Sequence, residues 1–185
     1  AKFSNPSGTA VDQTINGTFK NCTFEGANAL RYSYVGNTCV FENCHFEGDD
    51  YAFHFDGTSL NDAEIICRNC TFAGKVAVAG AVSNIEMDKC EILSGSFYNV
   101  YCNSTHKECK FNTSVRPLGG IVNYTDCTIK GSALSVSNLK FYEGYDCTLN
   151  IDGVAYTYDA DGDGLVKNAE GAVVAWHRGI LADAL

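Results

Sequence analysis

The chain has 185 residues, enough for one domain or a domain with an appendage, and 45% of them are hydrophobic. Its 22 acidic and 13 basic residues give a net charge of −9, which argues against nucleic acid or an anionic membrane surface as partner. No apolar run reaches the ~20 residues of a membrane-spanning helix, so membrane insertion is not expected. The chain opens on Ala1 with neither Met nor a signal peptide, which reads as a processed product or a piece of a longer protein.

Residues 1–16 are rich in Ser, Gly, Asn and Thr and read as a first, imperfect repeat. From Phe19 onward one phrase recurs. Its clearest copies are Phe19-Lys20-Asn21-Cys22-Thr23-Phe24-Glu25-Gly26 and Phe41-Glu42-Asn43-Cys44-His45-Phe46-Glu47-Gly48. Later copies centre on Cys70, Cys90 and Cys127, and weaker ones on Cys109 and Cys147. An apolar residue stands two after the cysteine (Phe24, Phe46, Phe72, Ile92, Phe111, Ile129, Leu149). Another stands three before it (Phe19, Phe41, Cys67, Met87, Tyr124), and Cys39, Ile65, Ile85, Val122 and Tyr142 extend the alternation to five before. Period-two alternation predicts short strands with one face inward, and the change of phase at Asn-Cys predicts a corner. Gly26, Gly48, Gly74 and Gly131 supply the next corner, after which Tyr32 and Tyr34, Phe53 and Phe55, Val76 and Val78, and Leu134 and Val136 mark a third strand.

The cysteines recur every 18–26 residues. Short strands at that period predict the coils of a β-solenoid. About seven coils stacked at ~4.8 Å would make a rod of roughly 30–35 Å. The pattern over Phe19–Leu149 resembles the right-handed parallel β-helix family of pectate lyases, phage tailspikes and bacterial surface adhesins. The pentapeptide-repeat solenoid is the second reading, because Phe19/Phe24 and Phe41/Phe46 also fit its five-residue unit. The fold class expected is all-β, a right-handed parallel β-helix over residues 1–153.

Six of the ten cysteines share one inward position. In-register side chains point the same way, which strains a disulfide, so a ladder of buried thiols is expected. Such a ladder suits an anaerobic or reducing habitat. A bridge among off-ladder residues such as Cys102 and Cys109 stays open. Cys67 and Cys70 form a lone CxxC in strand context and do not predict zinc. Asn21, Asn43 and Asn69 are expected to stack at the corner. Asn21, Asn69, Asn103 and Asn123 also head glycosylation triplets that an Asn- and Thr-rich solenoid produces by chance. The outward candidates for a site are Arg31, His45, Glu47, Asp49, Asp50, His54 and Asp56, with a solvated polar face as the simpler reading. Residues 107–120 break the pattern, and Arg116-Pro117-Leu118-Gly119-Gly120 reads as a protruding loop.

Residues 154–185 change character. Val154–Tyr158 reads as a last strand, followed by Asp159-Ala160-Asp161-Gly162-Asp163-Gly164-Leu165-Val166-Lys167-Asn168-Ala169-Glu170, which fits D-x-D-x-D-G-x5-E. The metal ligands expected for Ca²⁺ are Asp159, Asp161 and Asp163 by side chain, Leu165 by its carbonyl, and Glu170 by both oxygens. This loop resembles EF-hands and the dockerin modules of bacterial cellulosomes, in which a helix follows the loop. A capping helix is therefore expected over residues 168–184. Two features depart from that family: Lys167 at position 9, and a single loop instead of a pair. The function expected is a non-catalytic, secreted or cell-surface bacterial module for adhesion or carbohydrate binding, with polysaccharide or a surface protein as partner. The alternatives are a polysaccharide lyase or hydrolase fragment, and a cohesin-binding or architectural segment.

Overall fold

A computed structural model describes residues 1–12, 17–32, 38–55, 64–78, 84–100, 102–142, 145–159 and 164–176. The described residues form an all-β solenoid made of two ten-stranded sheets. The first sheet holds the strands that precede each ladder cysteine. They are β2 (Gly17–Lys20), β4 (Thr38–Glu42), β6 (Glu64–Arg68), β8 (Asn84–Asp88), β11 (Asn103–Lys107), β14 (Gly120–Thr125) and β17 (Cys147–Ile151), all parallel. The second holds the strands that follow: β1 (Lys2–Asp12), β3 (Thr23–Tyr32), β5 (His45–Phe55), β7 (Thr71–Val78), β9 (Glu91–Ile92), β10 (Ser96–Val100), β12 (Lys110–Phe111), β13 (Ser114–Leu118) and β15 (Thr128–Ile129).

The corner between the sheets explains the phrase. Asn21, Asn43, Asn69, Lys89, Glu108 and Asp126 all hold left-handed φ values of 51–54°. Asn and Asp tolerate this region because their short side chains bond locally. Each corner N–H donates to the coil above, as from Asn43 to the Arg68 carbonyl at 2.9 Å and from Asn69 to that of Asp88 at 2.9 Å. Asn43→Val is therefore expected to cost about 1–2 kcal/mol or more, since a Cβ-branched residue pays the full left-handed penalty. Asn43→Gly should be close to neutral. Urea melts of the two variants check this, and equal losses would mean that the corner conformation is not what Asn43 supplies.

The second and third strands of a coil are one bent strand in β3, β5 and β7, kinked where the chain passes Gly26, Gly48 or Gly74. Gly74 has φ +125°, and a Cβ there would run into the Gly48 carbonyl of the coil below. The bends leave three faces around one core. The ladder row runs Cys22, Cys44, Cys70, Cys90, Cys109 and Cys127, all buried. Beside it Phe3, Phe24, Phe46 and Phe72 stack with centroids 5.0, 4.8 and 5.0 Å apart. On the third face Leu30, Phe53, Val76, Phe97 and Val115 point inward.

The cysteines expected to share one inward position, Cys22, Cys44, Cys70, Cys90 and Cys127, do so, with Cys109 as the sixth. No disulfide joins any two of the ten cysteines, and all ten are buried. Each ladder thiol lies 3.3–3.5 Å from the carbonyl two residues earlier, and from Cys44 to Cys127 a second carbonyl on the preceding coil sits 3.3–3.4 Å away. Burial pushes the Cys39 and Cys147 thiols up to about 12. Hydrogen bonding to a neighbouring thiol in the stack, with burial, pushes Cys44, Cys90 and Cys127 up as well, and the same contacts pull the intervening Cys70 and Cys109 down. Thiols closed off from solvent cannot meet an alkylating reagent, and all ten are buried. The native protein is thus expected to resist alkylation, and the unfolded, unreduced protein to take up ten alkyl groups by intact mass. A shortfall would reveal oxidised pairs.

The outer face of the first sheet carries an alternating row of Lys20, Glu42, Arg68, Asp88 and Lys107. Lys20 reaches Glu42 at 2.8 Å and Arg68 reaches it at 3.5 Å. The hydrogen bond from Lys20 holds the Glu42 carboxyl below its ordinary range. Exposed pairs of this kind add little stability. Their alternation favours the observed register, because a slip would place like charges together.

Four expectations need correction. The solenoid has about five coils, not seven. β1 is an edge strand below the first complete coil, and after β15 the chain reverses at Gly131, φ +79°, into antiparallel β16 (Ser132–Ala133). Leu134 and Val136 are buried, but Val136–Asn138 is a 3₁₀ turn, not a third strand. Residues 114–118 are a regular strand paired with β10, not a loop. That coil looked broken because its inward positions hold Ser104 and His106, whose side chains bond to each other at 3.1 Å inside the core.

The fourth correction is the cap. Cys147–Ile151 pairs antiparallel with β18 (Val154–Tyr158), which pairs with β19 (Leu165–Asn168), which pairs with β20 (Val173–Trp176). The segment expected to be helical is a hairpin through Trp176; residues 177–185 lie outside the described residues. The Asn168 side chain accepts from the Glu170 and Ala172 N–H groups at 3.2 and 2.9 Å, and Gly171 adopts φ +80°. That is turn chemistry in the middle of the expected helix. Tyr158, Val166 and Ala175 join the same buried core as the coils.

Candidate functional site

The third face positions an outward stripe by a simple rule. The residue after each inward residue points out: Arg31 after Leu30, His54 after Phe53, Ala77 after Val76, Tyr98 after Phe97 and Arg116 after Val115. The ladder sets them side by side in that order, with Asp12 beside Arg31. Four strand spacings of ~4.8 Å give the stripe from Arg31 to Arg116 a length of roughly 19 Å.

Its side chains are organised by stacking. The Tyr51 and His54 rings lie 4.2 Å apart and 11° from parallel. Lys75 sits 5.1 Å from the Tyr51 ring centre and 2.7 Å from Asp50, whose hydrogen bond raises the Lys75 ammonium above its ordinary value. At the other end the Arg116 guanidinium lies 4.9 Å from the Tyr98 ring and 5.2 Å from the Tyr142 ring. Arg116 Nη1 donates to the Tyr98 hydroxyl at 3.0 Å.

Of the outward candidates, Arg31 and His54 are in this stripe, and Asp50 flanks it. His45 lies on the same coil as His54 but on the far side of the Gly48 bend. Its Nδ1 is 2.6 Å from Thr71 Oγ1 and its Nε2 is 3.6 Å from Glu47. Glu47 and Asp49 line a separate recess of about 250 Å³ with Glu25 and Ser4. Glu25 is held by Lys2 at 2.7 Å. Asp56 lies outside the described residues. The sequence reading misses Tyr51 and Tyr98, and it places Arg116 in a protruding loop and Tyr142 in the alternating inward set, whereas Tyr142 meets the Arg116 guanidinium. The position after each inward residue would have found Tyr98 and Arg116, had Phe97 and Val115 been recognised as third-face residues.

The expected calcium ligands are not gathered among the described residues. Asp159 and Leu165 flank the loop, and Asp161 and Asp163 lie outside the described residues. Glu170 sits exposed in the turn at the other end of the β18–β19 ladder. With Tyr158 opposite Val166, it is two ladder steps and a turn away, on the order of 10 Å at ~3.4 Å per residue. The register that sets Cys147 opposite Tyr158 brings Asp146 beside Asp159 instead. Both line a recess of about 190 Å³ with Thr148 and Thr157. Among the described residues no group of three or more His, Cys, Asp or Glu is placed to hold a metal. No helix among them is long and apolar enough to cross a membrane.

The fold and the stripe define the class as a parallel β-solenoid with a polar and aromatic third face. Comparison with protein-family models, curated proteins and solved structures finds no match for this chain.

Proposed function

We propose that the chain is a non-catalytic β-helix module, secreted or displayed at a cell surface, that holds an extended carbohydrate along its third face. The observation that carries this reading is the stripe from Arg31 to Arg116, in which Arg31, His54, Tyr98 and Arg116, interrupted at Ala77, present polar and aromatic side chains at positions that repeat at the coil spacing on one sheet. A surface that repeats suits a ligand that repeats, and stacked rings with polar edges suit sugars, which offer both apolar faces and hydroxyls. The winding is taken as right-handed, as parallel crossovers almost always are. A surface location fits the free-thiol ladder if the habitat is reducing or anaerobic. The Ca²⁺ reading rests on the Asp159–Glu170 sequence pattern, with Asp146 as the additional carboxylate that the hairpin register offers.

A glycan array probed with and without Ca²⁺ is expected to show binding, and a reducing-sugar assay on bound glycans to show no release. The recess at Glu25, Glu47 and Asp49 favours one competing reading, a polysaccharide lyase or hydrolase fragment, because catalysis on glycosidic bonds uses neighbouring carboxylates. Release of sugar that is lost in Glu47→Gln would establish that reading in place of the first.

A further inference from the structure

Arg116 is built differently from the cations that form ion pairs. Lys2, Lys20, Arg68, Lys75 and Lys89 each reach a carboxylate within 4.0 Å. Arg116 reaches none among the described residues. Its guanidinium is instead held between two tyrosine rings, 4.9 and 5.2 Å away. Its Nε is buried without an acceptor. The fold makes this clamp deliberately rigid. β13 pairs with β10, which sets Arg116 beside Tyr98. The Lys140 N–H then donates to the Val115 carbonyl at 3.0 Å, which fastens the following segment and brings Tyr142 over Arg116.

A guanidinium has five N–H donors and no acceptor. One goes to the Tyr98 hydroxyl, so the Tyr98 proton is left to be donated outward. A pinned, half-buried guanidinium and an adjacent O–H form a preorganised receptor for an oxyanion, at small entropic cost on binding.

We propose that the Tyr98–Arg116–Tyr142 clamp is the anion-recognition subsite of the third face, and that its ligand is an acidic glycan whose carboxylate or sulfate ester seats on Arg116. This rests on the carbohydrate reading above and narrows it to acidic sugars. An acidic peptide fits less well. Same-side side chains of an extended peptide recur at about 6.8 Å, whereas the stripe repeats at ~4.8 Å, so a peptide along the axis would lose register with it.

The test is calorimetric titration of the whole chain with three probes: an oligosaccharide of alternating glucuronate and N-acetylglucosamine, its methyl ester, and a neutral N-acetylglucosamine oligomer. A sulfated oligosaccharide forms a fourth arm that separates the two oxyanions. The acid, or the sulfate ester, is expected to bind at least tenfold more tightly than the methyl ester and the neutral oligomer. Arg116→Lys and Arg116→Met should each remove that preference, with Tyr98→Phe removing part of it. Circular dichroism confirms that the variants keep the sheet, and the ester comparison on the natural chain stands even if a variant fails to fold. Equal binding of acid, ester and neutral oligomer would overturn the anion subsite and leave the carbohydrate reading intact. No binding of any glycan would overturn both. Tighter capture of a poly-glutamate peptide than of the acidic glycans would overturn the choice of partner.

Discussion

Phe46→Ala is expected to cost about 3–5 kcal/mol, the range for deleting a fully buried aromatic side chain. That is a large share of the 5–15 kcal/mol that holds a typical domain together. Phe46 has no exposed surface. It stacks between Phe24 and Phe72 at 4.8 and 5.0 Å and meets Phe41 and Phe53 edge-on at 5.2 and 5.3 Å. Each of those rings hangs from a coil whose backbone is bonded to the coils above and below, so the cavity has little room to collapse. The upper half of the range follows. Phe3 ends the same stack and is only partly buried, so Phe3→Ala should cost clearly less. Urea melts of both variants measure this. A slope equal to that of the unchanged protein means that the rod still melts as one unit; a reduced slope means that the coils on either side of Phe46 have come apart in stability, as quasi-one-dimensional folds permit. Equal costs at Phe3 and Phe46 would show that the stack is not the centre of the core.

The coil was legible because its constraints are local. The cysteine, with an apolar residue three before and two after, reports a bend that both flanking strands must make, and Asn21, Asn43 and Asn69 report the left-handed residue at that bend. What was not legible had substitutes the pattern does not name. At the fifth coil, Ser104 and His106 take positions held elsewhere by apolar residues, because paired with each other they can be buried. Lys89 and Glu108 take the corner held by Asn in earlier coils. On the third face the first coil's residue aligned with Phe53 is Leu30, two positions before Tyr32, because the register shift near the glycines offsets the coils there. The end of the solenoid was misread for a related reason. Gly131 looks like the earlier glycines but turns the chain back, and Cys147 sits in a strand that continues the first sheet without starting another coil.

The stripe was half legible. Arg31 and His54 stand beside inward residues that alternation reveals. Arg116 was hidden because Pro117 and two glycines follow it, a composition that ordinarily means a loop. Here Pro117 is tolerated because β13 pairs with β10 alone and so forms an edge of the sheet, where a missing N–H removes no ladder bond.

Ca²⁺ at a hundredfold excess over its dissociation constant is expected to stabilise the protein by about 2.7 kcal/mol, a rise of roughly 5–10 °C in melting temperature for a chain of this size. Asp159, Asp161 and Asp163 are close in sequence, and like charges gathered in one loop repel until a cation offsets them. The gain belongs to the folded state because the hairpin fixes one side of the loop: Gly164 donates to the Asp159 carbonyl at 3.0 Å, and Leu165 begins β19. The two candidate closing carboxylates make opposite predictions. The ladder sets Asp146 beside Asp159, so Asp146→Asn should remove most of the Ca²⁺-dependent shift. It carries Glu170 to the far turn, so Glu170→Gln should leave the shift unchanged. Asp161→Ala should abolish it in either case. The reverse result, with Glu170 required and Asp146 dispensable, would mean that the β18–β19 pairing yields on binding and the twelve-residue loop closes as in EF-hands. A melting temperature indifferent to Ca²⁺ and to chelator would remove the cation from this end of the solenoid and leave the antiparallel hairpins as its only cap among the described residues.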